Sequence, residues 1–169
     1  RGLLESQPSP QPADVTLGEC GMWLTSGLSH EIASFDEAWD VVMGALTTSG
    51  YLAVQLYSDR LAHSDMDSAR AALVSRCGRP VTIGFGPRFL HSTGQFHKGG
   101  TPDGVFVQII VEPTQSIDIP GYPFDFGTLV NAQAQGDRDV LIARGRPVLT
   151  IRVPSEETLL EFLAAGGRQ

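Results

Sequence analysis

Residues 84–104 of this 169-residue chain hold the densest set of groups that can do chemistry. His91 and His97 can pass protons. Lys98 and Arg88 carry fixed positive charge, Ser92 and Thr93 carry hydroxyls, and Gln95 carries an amide. Six glycines and two prolines separate them. Glycine lets the backbone turn its N–H groups towards a ligand. Cationic side chains with hydroxyls suit an oxyanion, most naturally a phosphate. A metal is not expected, because the two imidazoles have no acid or thiol nearby except Asp103. Taken singly, each of these residues also has a plain reading. A loop histidine often bonds a backbone carbonyl, a lysine sits in solvent, an arginine pairs with an acid, and Gln95 ties the loop to itself.

The flanking elements must hold this stretch in place. Apolar runs precede it (Pro80 to Phe85) and follow it (Val105 to Val111), so it reads as a long connection between two strands. Phe85, Phe89, Leu90 and Phe96 are spaced through it, and their burial is expected to order it. Upstream, Ser34 with Glu37 three positions later is a helix start. Phe35, Ala38, Trp39, Val42 and Leu46 recur at helical spacing up to a stop at Gly50. Tyr51 to Tyr57 alternates as a strand. A second helix runs from Ser64-Asp65 to Gly78. Asp125 caps a third, from Thr128 to about Ala143, which Gly136 either breaks or does not. Val148 to Val153 is a strand, and Ser155 opens a terminal helix.

The expected fold class is therefore α+β (or α/β): a four-stranded mixed sheet in β-α-β-β-α-β order with flanking N- and C-terminal helices. Helices on one face are the first expectation and helices on both faces the second. Met22-Trp23-Leu24 is either a short strand or an apolar seat. Residues 1–14, rich in Ser and Pro, read as a linker or tail, and 15–169 as a single domain.

Composition limits the partners. A net charge of −7 argues against non-specific nucleic-acid binding. No apolar run is long enough to span a membrane. Cys20 and Cys77 match no metal spacing and read as reduced thiols of a cytoplasmic protein.

GFGPRFLHSTGQFHKGG (84–100), DGVFVQI (103–109) and FGTLVNAQAQGD (126–137) together resemble a known family. They are similar to the C-terminal region of the glucose-6-phosphate isomerases found in bifunctional transaldolase/glucose-6-phosphate isomerase proteins and their unfused relatives. The resemblance runs from about Gly50 to about Val153. It implies that the chain is the last domain of a longer isomerase, with two sugar-isomerase domains preceding it. The substrates would be glucose 6-phosphate and fructose 6-phosphate, with no cofactor and no metal, and a second copy in a homodimer stands among the partners considered. His91, His97 and Lys98 are the candidate catalytic groups for ring opening. Arg88, Ser92, Thr93 and Gln95 are the candidate substrate-binding groups. The carboxylate base that moves the proton between C1 and C2 is expected in the preceding domains, so the chain alone is expected to be inactive. A non-catalytic capping or dimerisation domain, or a free-standing phosphosugar-binding module, are the alternatives.

Overall fold

The computed structural model describes residues 11–25, 27–63, 66–87, 89, 93–115 and 117–168. Among them, six strands form one mixed sheet and five helices cover it. The strands are β1 (Val15–Leu17), β2 (Cys20–Leu24), β3 (Tyr51–Tyr57), β4 (Val81–Phe85), β5 (Gly104–Val111) and β6 (Val148–Val153). The helices are α1 (Phe35–Gly44), α2 (Met66–Cys77), α3 (Thr93–Gly99), α4 (Phe126–Ala143) and α5 (Glu156–Gly166).

This corrects the expected four-stranded sheet in β-α-β-β-α-β order. Two strands are added at the N-terminal side. Gly18, at φ 58°, turns the chain between β1 and β2, and the hairpin pairs Leu17 with Cys20. β2 then joins β6 antiparallel. The α+β class stands, because this antiparallel pair extends an otherwise parallel sheet. Hairpin bonds begin before β1: Asp14 N–H donates to the Met22 carbonyl, and the Asp14 carboxylate accepts from Leu24 N–H at 2.7 Å. Order therefore reaches back into the stretch read as a linker, whose residues 1–10 lie outside the described residues.

The second correction is α3. It lies between β4 and β5, where an irregular connection was expected. A helical crossover returns the chain to the same end of the sheet, so β4 and β5 run parallel to β3 rather than opposite one another. The spatial order is β1-β2-β6-β5-β3-β4. β3 lies at the centre of the three strands β5, β3 and β4. The chain leaves it outward to β4, then crosses back over it to β5.

Helices pack on both faces, the second of the two arrangements expected. Leu52, Val54, Leu56, Val107, Ile109, Leu149 and Ile151 face α1, α2 and α5, where Trp39, Leu73 and Phe162 complete the larger core. Trp39 stacks on Phe162 with centroids 5.0 Å apart and donates its indole N–H to the Phe162 carbonyl at 2.7 Å. The alternate residues Tyr51, Ala53, Tyr57, Phe106, Ile110 and Val148 face α3 and α4 with Phe89, Ala134 and Leu141. Burial on both faces explains why β5 is buried at seven consecutive positions.

Three helix starts follow their caps. Ser34 Oγ accepts from Glu37 N–H, Asp125 Oδ1 from Thr128 N–H and Ser155 Oγ from Thr158 N–H. α1 stops at Gly44 rather than Gly50, and α4 continues unbroken through Gly136.

Candidate functional site

In an open parallel sheet, ligands bind beyond the carboxyl ends of the strands, where neighbouring connections part to opposite faces. Here that point lies between β3 and β5. The chain leaves β3 for α2 on one face and β5 for α4 on the other. The 84–104 stretch starts from the carboxyl end of β4, the strand next to β3. Arg88, His91 and Ser92 lie outside the described residues, as do the side chains of Thr93 and Gln95.

Lys98 and His97 are placed, and neither is a solvated loop side chain. The Lys98 ammonium donates to Asp137 Oδ1 of α4 and to the Phe89 carbonyl at 3.3 Å. Asp137 Oδ2 accepts from the Tyr57 hydroxyl at 2.7 Å. The Asp137 side chain is 1% exposed and that of Lys98 is 14% exposed. Burial pushes the Tyr57 hydroxyl far above the ordinary phenol range, and the Asp137 charge and hydrogen bond add to this. Tyr57 therefore remains a donor at any pH at which the protein is handled. The cluster joins β3, α3 and α4 beneath the carboxyl edge.

His97 turns to a different neighbour. It is 2% exposed and caged by rings. Phe106 meets it edge-on at 5.3 Å, with Tyr51, Phe89 and Phe96 around it. Its Nδ1 lies 3.3 Å from the Tyr51 hydroxyl. Burial, and then the Lys98 charge, lower its pKa. The folded state thus holds a neutral imidazole that the unfolded chain would protonate below about 6.5. The unfolded state binds more protons in the window between the lowered value and 6.5, so stability falls as pH falls through it. His97→Phe, which keeps an aromatic ring in the cage, is expected to flatten the dependence of Tm on pH below about 6.5. A slope equal to that of the parent chain would mean the imidazole is not held neutral.

The expected burial of the four apolar residues holds in part. Phe89 is 5% exposed, Phe85 is half-buried, Phe96 is 54% exposed, and Leu90 lies outside the described residues. The close approach of α3 to Phe89 depends on Gly94, where a Cβ would overlap the Phe89 carbonyl. Of the rings packed together here, Tyr51, Tyr57 and Phe106 come from β3 and β5, and Phe89 comes from the stretch itself.

A row of polar side chains, Gln55, Gln108 and Thr150, lies in register across β3, β5 and β6 under α4. Thr150 Oγ1 donates to Gln108 Oε1, and Gln108 Nε2 donates to Gln55 Oε1 and to the Ala134 carbonyl. Gln55 Nε2, Ser58 Oγ and Asn131 Oδ1 are buried and have no partner among the described residues. At the opposite end of the sheet the buried Arg146 bonds the Gly100 carbonyl at 2.8 Å and holds the exit of α3. Tyr57 and Thr150 escape sequence reading because nothing local gives them a role, and Gln108 and Asp137, though inside segments that carry the resemblance, escape it for the same reason. The alternation of β3 was a further sign, since it puts Tyr51, Gln55 and Tyr57 on one face.

Other charged groups lead away from this face. A cleft of about 500 Å³ is lined by Asp36, Asp40, Ser75, Arg76 and Arg168. Its charges are already matched, Arg76 with Asp40 and Arg168 with Asp36. His63 pairs with Glu156 at 2.5 Å and fastens the segment after β3 to the start of α5. Both cysteines are free thiols. No group of three or more potential metal ligands occurs among the described residues, and none of their helices is long and apolar enough to cross a membrane.

No family model matches the chain, and no curated protein matches it. Among solved structures, it is similar to a hypothetical protein from Thermus thermophilus. The crystal structure of that protein superposes with a TM-score of 0.62 at 17% sequence identity. The match covers 78% of this chain and 37% of the other, so this chain spans well under half of that protein's length. At that identity the likeness shows the fold alone.

Proposed function

We propose that this chain is the C-terminal part of a glucose-6-phosphate isomerase, and that its 84–104 stretch contributes to a site completed by preceding sugar-isomerase domains. The observation that carries this reading is the placement of the stretch that bears the family resemblance. It leaves the carboxyl end of β4, one strand away from the switch point between β3 and β5, and the Lys98 ammonium is tied to it at the Phe89 carbonyl. Ring opening needs an acid–base pair at the ring oxygen, the proton transfer needs a carboxylate, and the phosphate needs a polar cradle. His91 and Lys98 are the groups of this chain proposed for the first task. Arg88, Ser92, Thr93 and Gln95 are proposed for contacts to the sugar phosphate. His97 serves the site by holding α3 against Tyr51 and Phe106 rather than by touching substrate. This role rests on its burial.

A second reading has its own observation. His97 and Lys98 both direct their polar atoms at partners within the chain, as they would in a capping or dimerisation domain. A coupled assay of glucose 6-phosphate isomerisation separates the two. The intact parent protein is expected to turn over. The isolated chain is expected to be slower by at least about 10²–10⁴-fold, the usual worth of a general base. Turnover by the isolated chain near that of the parent would sink the divided-site reading, and a parent with no turnover would sink the isomerase reading. Calorimetric titration of the isolated chain with fructose 6-phosphate then tests the phosphosugar-binding module.

A further inference from the structure

Lysine has a flexible four-carbon stem, and its ammonium is a point charge with three N–H donors. Left in a glycine-rich connection, it would sample many positions. Among the described residues two partners engage these donors, the Phe89 carbonyl and Asp137. Asp137 is itself fixed, because its second oxygen accepts from the Tyr57 hydroxyl at the end of β3. A fully buried carboxylate with no counter-charge would be strongly destabilising, so the pair has one favourable arrangement. The remaining exposure of the cluster belongs to Lys98 and not to Asp137. The contact at Phe89 ties that ammonium to the first third of the 84–104 stretch.

We infer that Asp137, backed by Tyr57, is a positioning residue that fixes the Lys98 ammonium so that its third N–H is offered to an oxygen of a bound sugar phosphate. The choice of ligand rests on the isomerase reading; the fixing of Lys98 does not. Asp137 then touches no substrate and acts through Lys98. Tyr57 keeps the carboxylate from rotating. A pair that merely tied α3 to α4 would leave the reactivity of Lys98 towards ligand without consequence.

The test uses the full-length parent protein with Asp137→Asn and Tyr57→Phe. Three quantities are read: the kcat and KM for glucose 6-phosphate, the thermal midpoint, and the rate at which an amine-acylating reagent labels Lys98, followed by mass spectrometry. Asp137→Asn is expected to lower kcat by about tenfold to a hundredfold with KM nearly unchanged, since a small misplacement costs that much. Lys98 labelling should rise severalfold, and fructose 6-phosphate should protect Lys98 in the unsubstituted protein. Tyr57→Phe, which keeps the charge pair, should give smaller changes in the same direction and carries the test if Asp137→Asn does not fold. A folded Asp137→Asn with unchanged kcat and unchanged labelling overturns the inference. So does a loss of kcat that disappears at a lower temperature where both proteins are folded. If the parent shows no isomerisation at all, the isomerase reading fails by itself. Labelling then decides the fixing of Lys98: equal rates in the parent and Asp137→Asn refute it.

Discussion

Lys98→Ala is expected to lower the free energy of unfolding by about 3–5 kcal/mol, the usual cost of leaving a buried charge without its partner. The large figure follows from Asp137, not from Lys98. Its side chain is almost wholly buried, and after the substitution the Tyr57 hydroxyl is the one partner left to it among the described residues. A double variant, Lys98→Met with Asp137→Asn, removes both charges and keeps an acceptor for Tyr57. It is expected to recover more than half of the loss, because a buried pair replaced by neutral groups of similar size is often tolerated. Urea denaturation of the three proteins measures both effects. A cost under about 1 kcal/mol for Lys98→Ala, the range of a surface pair, would mean that the cluster is solvated. This expectation also governs how activity data are read. A Lys98→Ala protein that loses turnover must be assayed where it remains folded.

The second large effect lies on the other face of the sheet. Trp39→Ala is expected to cost about 3–5 kcal/mol, as for other large aromatic truncations in a close-packed core. Trp39 is wholly buried against Phe162, and the backbone of α5 approaches it so closely that a Cβ on Gly166 would lie 2.6 Å from the indole. Trp39→Phe keeps most of the packing but leaves the Phe162 carbonyl without its donor, at a cost of about 1–3 kcal/mol. Thermal or denaturant unfolding gives the order. Neither substitution should alter Lys98 labelling at temperatures where the protein is folded, because the sheet separates Trp39 from α3. A change in labelling with normal folding would show that the two faces are coupled.

Much of the local structure was legible in short range. Ser34, Asp125 and Ser155 cap helices as their side chains and spacing imply, since a cap is a contact between residues three apart. Gly78, at φ 62°, ends α2 for an equally local reason. The alternation of β3 separated two sets of residues that prove to face two different helix layers. α3 was not legible. Thr93 to Gly99 is seven residues long with a glycine at its second and last positions, and glycine is a poor helix former. Packing against Tyr51, Phe106 and Asp137 stabilises what propensity does not. β1 is three residues long, too short for an alternating pattern to show, and exists because β2 pairs with it.

The candidate site divides in the same way. Residue types and spacing by themselves determined that positive charge, hydroxyls and imidazoles gather in 84–104, in an otherwise acidic chain, and that Lys98 and His97 belong to that group. The tertiary structure alone decided what those residues meet. Parallel crossovers bring α3 and α4 to one face, so Lys98 meets an acid 39 positions away in the chain and His97 meets a tyrosine 46 positions away. Helical and strand periodicity report which side of an element is apolar, but not which element lies opposite. That depends on strand order. Strand order depended on one short helix whose stability comes from tertiary packing rather than from its own residues.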